Sequence, residues 1–295
     1  MTNKPTVAII FPNYNGADLS CKCLNAINNL SYPRDKVEII VVDNGSTDGS
    51  IHKIKSQFPN VKLIKNSKNL GFAKAINQAV KTSNCKIIFV TNNDVIIDRN
   101  CLFQLTNYLQ KHKNVGVVGP KVLLLKKGNI VDHTALKFNF TTGLFQKLIT
   151  NHDQPSDWIE GSGMCFKKDL FNKIGSFDEG FFFTYEDLDF CLRAKKHGYQ
   201  VICHPQAIIT HHAGSTINRE SMLYFKYFEG YKSKIRLILK HANVFQMISS
   251  LLLQFLIYAP YRKIILREKS TTPLIKATLW NVKNLKKTLK SRSAL

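Results

Sequence analysis

Acidic residues are scarce in this chain. Asp and Glu number 20 against 42 Lys and Arg over 295 residues, a formal net charge of +22. A surface of that sign is turned toward polyanions: nucleic acid, anionic lipid or a polyanionic substrate. Cysteine motifs are missing as well. The seven cysteines (Cys21, Cys23, Cys85, Cys101, Cys165, Cys191 and Cys203) are odd in number and scattered, with no Cys-x-x-Cys pair. That argues against a disulfide framework. With no His/Cys set at zinc spacing, it also argues against a structural zinc site, and buried, reduced thiols in a cytosolic protein are the expectation. The N-terminus, Met1-Thr2-Asn3-Lys4-Pro5, leads into a strand pattern without the features of a signal peptide, so export is not expected. No internal repeat and no recognised nucleic-acid motif is present, and no specific nucleic-acid partner is expected.

What the chain does have is the composition of a folded protein, 44% hydrophobic and 21% charged, and a length suited to one large domain with or without an appendage. Four apolar runs, 7–11, 37–42, 61–64 and 86–90, read as buried strands, and helical patterns at 18–30, 50–58 and 73–81 separate them. This alternation predicts an α/β fold of the Rossmann-like, nucleotide-binding kind: a mostly parallel, mixed sheet with helices on both faces. Ligands of such sheets bind beyond the carboxyl ends of the strands. The polar residues that follow the four strands fall at that edge: Asn13 and Asn15, Asp43 and Asn44, Asn69, and Asp94. After a helical pattern at 102–111, short runs at 115–118, 122–125, 163–166, 201–203 and 207–210 predict further strands, while 126–157 has little periodicity.

From Met222 onward the pattern is helical and basic. Residues 226–295 carry 15 Lys and Arg against Glu229 and Glu268, a net of +13 and so over half the excess. Residues 242–261 contain no charge, close to the ~20 apolar residues that span a bilayer. Asn243, Gln246, Ser249, Ser250, Gln254 and Pro260 interrupt the run, and Tyr258 and Tyr261 with basic flanks fit a helix lying in the membrane interface. Residues 222–295 are therefore expected to form a helical, basic, membrane-associating tail on an anionic membrane surface, with the protein peripheral at the inner face of the cell membrane.

Chemistry concentrates in Phe181-Phe182-Phe183-Thr184-Tyr185-Glu186-Asp187-Leu188-Asp189. Three carboxylates open a helical pattern in which Leu188, Cys191 and Leu192 recur, Asp189 and Arg193 are spaced for an i,i+4 pair, and His197-Gly198 supplies a stop. A helix N-terminus favours negative charge, so these acids are expected to be ionised, as a general base requires.

Taken in order, Phe11-Pro12-Asn13-Tyr14-Asn15, Asp43-Asn44-Gly45-Ser46-Thr47-Asp48, Asn69-Leu70-Gly71-Phe72-Ala73, Asn92-Asn93-Asp94, Gly161-Ser162-Gly163, Tyr185-Glu186-Asp187 and His211-His212-Ala213-Gly214-Ser215 resemble the inverting glycosyltransferases of family two, of the GT-A fold. The likeness runs from Val7 to Thr216 and is strongest to bacterial polysaccharide enzymes of the rhamnosyltransferase kind. It implies a GT-A domain over 1–221, with a nucleotide-sugar-binding half (1–98) and an acceptor-binding half (99–221), followed by the tail.

The resemblance implies roles residue by residue. Pro12, Tyr14, Asp43, Asn44, Asn69 and Gly71 would line the nucleoside, with Gly71 letting backbone approach it. Asp48 reads instead as a turn cap. Asn92, Asn93 and Asp94 stand where the family has an Asp-x-Asp metal motif, with only the last acid kept. Asp94 and His211 would hold a divalent cation, Mn2+ or Mg2+, against the diphosphate. Gly161 and Ser162 would form the floor beneath the sugar, and Trp158 and Tyr185 would meet the acceptor. Asp187, with Glu186 beside it, would take the proton of the attacking hydroxyl. The implied reaction moves a sugar from a nucleoside-diphosphate donor (dTDP-rhamnose or a UDP-sugar) to a glycan or lipid-linked acceptor. A sugar nucleotidyltransferase would want a glycine-rich, basic phosphate loop, which Asn13-Tyr14-Asn15-Gly16 does not offer. A basic membrane- or nucleic-acid-binding protein with a degenerate GT-A domain is the other alternative. Relatives carry an Arg-Asn pair where this chain has Glu229-Gly230-Tyr231-Lys232-Ser233-Lys234, which points to different acceptor handling.

Overall fold

In the first third of the chain each strand is followed by a helix that returns the backbone to the same side, so the strands line up in parallel. The computed structural model describes residues 4–125, 130–212, 222–265 and 271–293. In order they form β1 (Val7–Asn13), α1 (Ala17–Asn28), β2 (Val37–Asp43), α2 (Ser50–Gln57), β3 (Lys62–Lys65), α3 (Phe72–Thr82), β4 (Ile87–Thr91), β5 (Val95–Ile97), α4 (Cys101–Lys111) and β6 (Val115–Leu124). Then come β7 (Ile130–His133), β8 (Ala135–Asn139), β9 (Leu144–Leu148), β10 (Gln154–Pro155), β11 (Gly163–Lys167), α5 (Lys168–Ile174), α6 (Glu186–Lys196) and β12 (Gln200–His211). The main sheet has the order β10-β12-β6-β11-β4-β1-β2-β3, with β5 added beside β12 and β7 beside β6. Only β11 breaks the parallel run from β12 to β3.

Period-two alternation explains both layers. Along β1, Val7, Ile9 and Phe11 pack with Leu24 of α1 and Leu102 and Leu105 of α4, while Ala8 and Ile10 face Ile76 of α3 and Phe190 of α6. The expected mostly parallel sheet with helices on both faces is therefore present. All seven cysteines are free thiols, six of them buried.

Two expectations needed correction. The runs at 115–118 and 122–125 are one strand, β6, and those at 201–203 and 207–210 are one strand, β12. Pro120 and Pro205 divide the runs in the sequence. The pair absorbs them through a register shift between His204 and Ile208, where the ladder is relaxed. Much of 126–157 resolves into the β8–β9 hairpin and flanking short strands; residues 126–129 lie outside the described set, as do 213–221.

The basic C-terminal stretch is helical, as expected: α7 (Leu223–His241), α8 (Val244–Leu253), a π turn (Gln254–Tyr258), α9 (Ala259–Ile264), α10 (Thr271–Lys283) and α11 (Leu285–Ser293). α7 packs directly on the sheet domain. Its Leu237 joins Leu136, Phe138, Trp158, Phe181 and Leu188 in one buried cluster. Arg236 and Lys240 both pair with Asp178 at 2.9 Å, and Lys240 reaches Asp189 of α6 at 2.6 Å. Part of the tail's positive charge is thus spent inside the protein. The helix from Val244 to Ile264 is different: 21 residues with a mean hydropathy of 1.4, of which only 17% is buried. By length and composition it could cross a membrane. Phe245, Ile248, Leu252 and Leu256 all lie exposed along it.

Candidate active site

The ends of β1, β2 and β4 place Asn13, Asp43 and Thr91 at one edge of the sheet, and the segment before antiparallel β11 brings Gly161 and Ser162 to the same edge. Asp43 is fully buried and accepts hydrogen bonds from Asn13 Nδ2 (2.8 Å) and the Ser46 amide (2.9 Å). The Asn13 Oδ1 accepts in turn from Ser20 Oγ (2.7 Å) and Asn93 Nδ2 (3.2 Å). One chain of side chains therefore runs from Asp43 through Asn13 to Asn93, next to Asp94. Asn13 is the hub of that chain. In the sequence it stands as a polar residue after a strand, within the first quoted motif. Tyr14 is exposed and Pro12 half-buried at the same turn. Asp48 behaves as the turn cap it was read to be, accepting from the amides of Ser50 (3.0 Å) and Ala17 (3.1 Å).

Asn44 holds the next loop, accepting from Asn66 Nδ2 and donating to the Gly71 carbonyl. Asn69 Oδ1 accepts from the Gly71 amide at 2.9 Å. Gly71 has φ +83°, and a Cβ there would stand 2.6 Å from the Phe182 carbonyl oxygen, to which the Phe72 amide donates. The glycine is required by a close approach of the protein's own 182 segment.

Asn92 contributes its carbonyl as acceptor for Cys23 Sγ. Asp94 and His211, 117 positions apart in the sequence, meet because β12 pairs with β5 opposite Val95. Asp94 Oδ1 lies 3.2 Å from His211 Nε2. Burial alone would lower the His211 pKa. The hydrogen bond and charge of Asp94, with Glu160 and Asp132 behind it, outweigh burial and raise it. Two cis ligands of an octahedral ion at ~2.1 Å stand about 3.0 Å apart, so this pair fits a divalent cation with little movement. No group of three or more His, Cys, Asp and Glu side chains is arranged for a metal among the described residues. Remaining ligands would have to come from phosphate and water, the usual pattern for Mg2+ and Mn2+ at nucleotides.

Thr184 and Tyr185 are non-glycine residues in the left-handed region, φ +61° and +71°. That strain turns the chain sharply into α6 and aims Glu186 and Asp187 inward. The Asp187 carboxylate accepts from the amides of Gly161 and Leu188, both at 2.8 Å. Against the expectation of ionised acids at this helix start, burial raises two of the three. Burial pushes Glu186 well above the ordinary range, and the Asp187 charge adds to it. Glu186 Oε2 is buried with no hydrogen-bond partner, as suits a neutral carboxyl. Burial also raises Asp187, to about 7, against the two amide donors and with the charge of Glu160 adding to the rise. Desolvation here exceeds the helix-terminal field. Asp189, fully buried one turn on, is held well below the carboxylate range: burial opposes this, but His241, Arg193 and Lys240 prevail.

Glu160 was not foreseen, although it immediately precedes Gly161 in the sequence. Its charge is among the causes that raise both the His211 and the Asp187 pKa. Its Oε2 lies 3.6 Å from His133 Nε2, and His133 Nδ1 meets Asp132 at 2.9 Å. Thr91 Oγ1 donates to the Ser162 carbonyl at 2.9 Å, and Phe72 packs against Gly161, where a Cβ would meet its ring at 2.6 Å. Trp158 is nearly buried and stacks on Tyr185 with ring centroids 5.6 Å apart. Its indole N–H lies near enough to favour the ionised form of Asp187, though short of a formed hydrogen bond. Trp158 is thus a wall, with one face already covered.

Comparison with known proteins accords with this geometry. Residues 8–175, more than half the chain, match the family model described as glycosyl transferase family 2. The N-acetylglucosaminyl-diphospho-decaprenol L-rhamnosyltransferase of Mycobacterium tuberculosis is 25% identical over 62% of this chain and 69% of its own length. The O-antigen chain rhamnosyltransferase RfbN of Salmonella typhimurium is 24% identical over 74% and 70%. Among solved structures, the mannosyltransferase PcManGT of Pyrobaculum calidifontis, in complex with GDP-Man and Mn2+, superimposes with a TM-score of 0.62 at 19% identity, covering 95% of this chain and 88% of that one. The S. aureus TarS fragment 1-349 gives 0.60 at 17% identity, covering 92% and 78%. At these identities the structural likeness speaks for the fold.

Proposed function

Since the chain belongs to glycosyl transferase family 2 and is a glycosyltransferase of polysaccharide biosynthesis, we propose that it transfers a sugar, with inversion, from a nucleoside-diphosphate donor to a hydroxyl of a glycan or lipid-linked acceptor. Its rhamnosyltransferase relatives make dTDP-rhamnose the first donor to try, ahead of UDP-sugars. The nucleoside lies along the edge formed by Pro12, Tyr14, Asn44 and Asn69. Buried Asp43 supports that edge from beneath through Asn13. Asn92 and Asn93 shape the turn that presents Asp94, and Gly161 and Ser162 floor the sugar.

Asp187 is the general base. The acceptor oxygen attacks the anomeric carbon from the side opposite the diphosphate, its proton passes to Asp187, and the bond from that carbon to the diphosphate oxygen breaks. A base whose pKa is raised to about 7 holds a proton acceptor at neutral pH without being too weak to use it. Glu186, whose pKa burial raises, is disfavoured as a second negative charge beside it. A divalent cation held by Asp94 and His211 would offset the charge of the departing diphosphate. The exposed apolar helix 244–264 and the basic residues around it support a peripheral location on the inner face of the cell membrane.

One observation supports this reading most: His211 Nε2 meets Asp94 Oδ1 at 3.2 Å, and Asp187 accepts from the Gly161 amide at 2.8 Å at the same edge of the sheet. A base and a cation-binding pair thus stand at the strand ends where an α/β sheet receives a nucleotide. The test is a donor screen with Mn2+ or Mg2+ and lipid-linked acceptors, scoring nucleoside diphosphate release. Release from one class of nucleotide sugar is expected. No release from any donor, with no nucleotide bound, contradicts the reading.

A further inference from the structure

Thr184 and Tyr185 lie in the left-handed region directly before Glu186 and Asp187. Two consecutive non-glycine residues stay there only where the chain on either side is fixed by other contacts. Downstream, the Tyr185 carbonyl accepts from the Asp189 amide at 2.9 Å, in the first turn of α6. Upstream, the two preceding carbonyls are held by two different elements. That of Phe182 accepts from the amide of Phe72, the first residue of α3, at 3.2 Å. That of Phe183 accepts from Ser233 Oγ of α7 at 2.9 Å.

A serine inside a helix ordinarily turns its hydroxyl to solvent or to the carbonyl of the preceding turn. Ser233 is fully buried and reaches instead across to another segment. Its neighbours on α7 do the same. Ser233, Arg236, Leu237 and Lys240 recur at three- and four-residue spacing, so they share one face of the helix, and residues 178–189 lie along that face. Leu237 packs with Phe181 and Leu188. Arg236 pairs with Asp178, lies 5.4 Å from the Phe181 ring centroid, and presses so closely on Gly180 that a Cβ there would collide with its guanidinium. Thr288 Oγ1 of α11 accepts from Arg236 Nη1 at 2.8 Å. Arg236 and Lys240 thus hold the two ends of the segment, at Asp178 and Asp189, and Ser233 holds the point just before the strained turn. Apolar packing would bury this segment without fixing its path. A hydrogen bond to the Phe183 carbonyl is directional, and fixes the orientation of the peptide that enters the turn.

We propose that Ser233 is a positioning residue for the transfer reaction. By holding the Phe183 carbonyl it keeps the Thr184–Tyr185 turn wound, and so keeps the Asp187 carboxylate on the Gly161 amide and aimed at the acceptor hydroxyl. The catalytic consequence rests on Asp187 as the base, whereas the clamp itself does not. Without the Ser233 bond the two left-handed residues are free to relax toward ordinary backbone conformations, which displaces the carboxylate two and three residues on. A misplacement of about 1 Å at a reacting group costs up to about 100-fold in rate. The C-terminal helices are by this account part of the catalytic apparatus and not an appendage to it.

Ser233→Ala in the full chain tests this by two readouts. The first is amide hydrogen exchange, which needs no substrate: exchange over residues 183–189 should quicken by about ten-fold or more, with the sheet unchanged. The second is steady-state transfer with the donor that a screen selects. The kcat should fall by about ten-fold or more, while the donor KM stays within about two-fold. Arg292→Gln, which removes a bond from α11 to the Leu239 carbonyl of α7 without touching the segment, should leave kcat unchanged. Because Ser233 acts through Asp187, adding Ser233→Ala to Asp187→Asn should lower the residual rate by less than about two-fold. Unchanged exchange in Ser233→Ala would overturn the proposal whatever the donor. So would quickened exchange with an unchanged kcat, an equal loss of kcat in Arg292→Gln, or a full ten-fold further loss on top of Asp187→Asn. Normal turnover in Asp187→Asn alone would refute the base instead, and the clamp is then judged by exchange alone. Loss of turnover in Asp187→Asn beside an unaffected Ser233→Ala leaves the base standing and removes Ser233 from the reaction.

Discussion

Replacing Asp189 by Asn should loosen the joint on which the catalytic helix is held. Asp189 is wholly buried and receives Arg193 Nε at 2.9 Å, Lys240 Nζ at 2.6 Å and His241 Nε2 at 2.8 Å. Burial lowers the His241 pKa despite Asp189, so at neutral pH the imidazole donates as a neutral group and the compensating charges are Arg193 and Lys240. Asn keeps the shape but leaves those cations facing an amide. Breaking a buried pair from one side costs ~3–5 kcal/mol. Arg193 retains the carbonyls of Ile174, Gly175 and Ser176, and Lys240 retains Asp178, which puts the loss near the lower end, about 3 kcal/mol. For a chain of this size that corresponds to roughly 6–12 °C in Tm. Urea unfolding should show a lower midpoint with an unchanged slope. The pH dependence has a definite sign. The folded-state pKa of Asp189 is depressed, so its contribution is present above the unfolded value of about 3.9 and fades as pH falls toward the folded value. The gap between the wild type and Asp189→Asn should be level from neutral pH down to about 5 and shrink below about 4. Removing Lys240 as well (Lys240→Met) should restore part of the loss, because fewer buried charges are left unpaired. A loss under about 1 kcal/mol, with no acid narrowing, would refute the reasoning.

Other consequences follow from the same geometry. Asp187→Asn should cut transfer by roughly 10²–10⁴-fold while nucleotide binding persists, measured by product formation beside titration of the nucleotide. Because the base must be deprotonated and Asp187 sits at about 7, kcat/KM of the wild type should rise with pH through that value, and a flat profile from pH 6 to 8 would contradict the assignment. Gly71→Ala should cost about 1–3 kcal/mol in thermal unfolding, since a Cβ at φ +83° meets the Phe182 carbonyl. Deleting the tail is a poor test of membrane binding, because Thr288 and Asn281 hold Arg236 and the Lys232 carbonyl. The triple change Phe245→Ser, Leu252→Gln and Leu256→Gln alters exposed positions only and should shift the protein from vesicles to the soluble fraction in a flotation assay.

How much of this was legible in the sequence depends on the range of the interaction. The first four strands and their helices announce themselves by period, and Asp189–Arg193 is a local i,i+4 pair found as spaced. β6 and β12 read as fragments because a proline interrupts each, and only their mutual register shift shows that the strands continue. The meeting of Asp94 with His211, and of Asp187 with Gly161, follows from ordered motifs by resemblance but not from any local pattern. Two things were invisible. The raised pKa of Glu186 depends on tertiary burial that outweighs the local helix field, and the role of α7 depends on pairs such as Asp178–Arg236, 58 positions apart. Asn13 lies within the first motif and Glu160 directly before Gly161, and their place on polar turns was the signal available for them.

The most direct measurement is an anomalous difference map from crystals grown with dTDP and Mn2+. A manganese peak about 2.1 Å from both Asp94 and His211, with the diphosphate completing its shell and the nucleoside along Tyr14 and Asn44, is the predicted result. A nucleotide seated elsewhere, or one held at this edge with Asp94 and His211 still paired to each other, would contradict it.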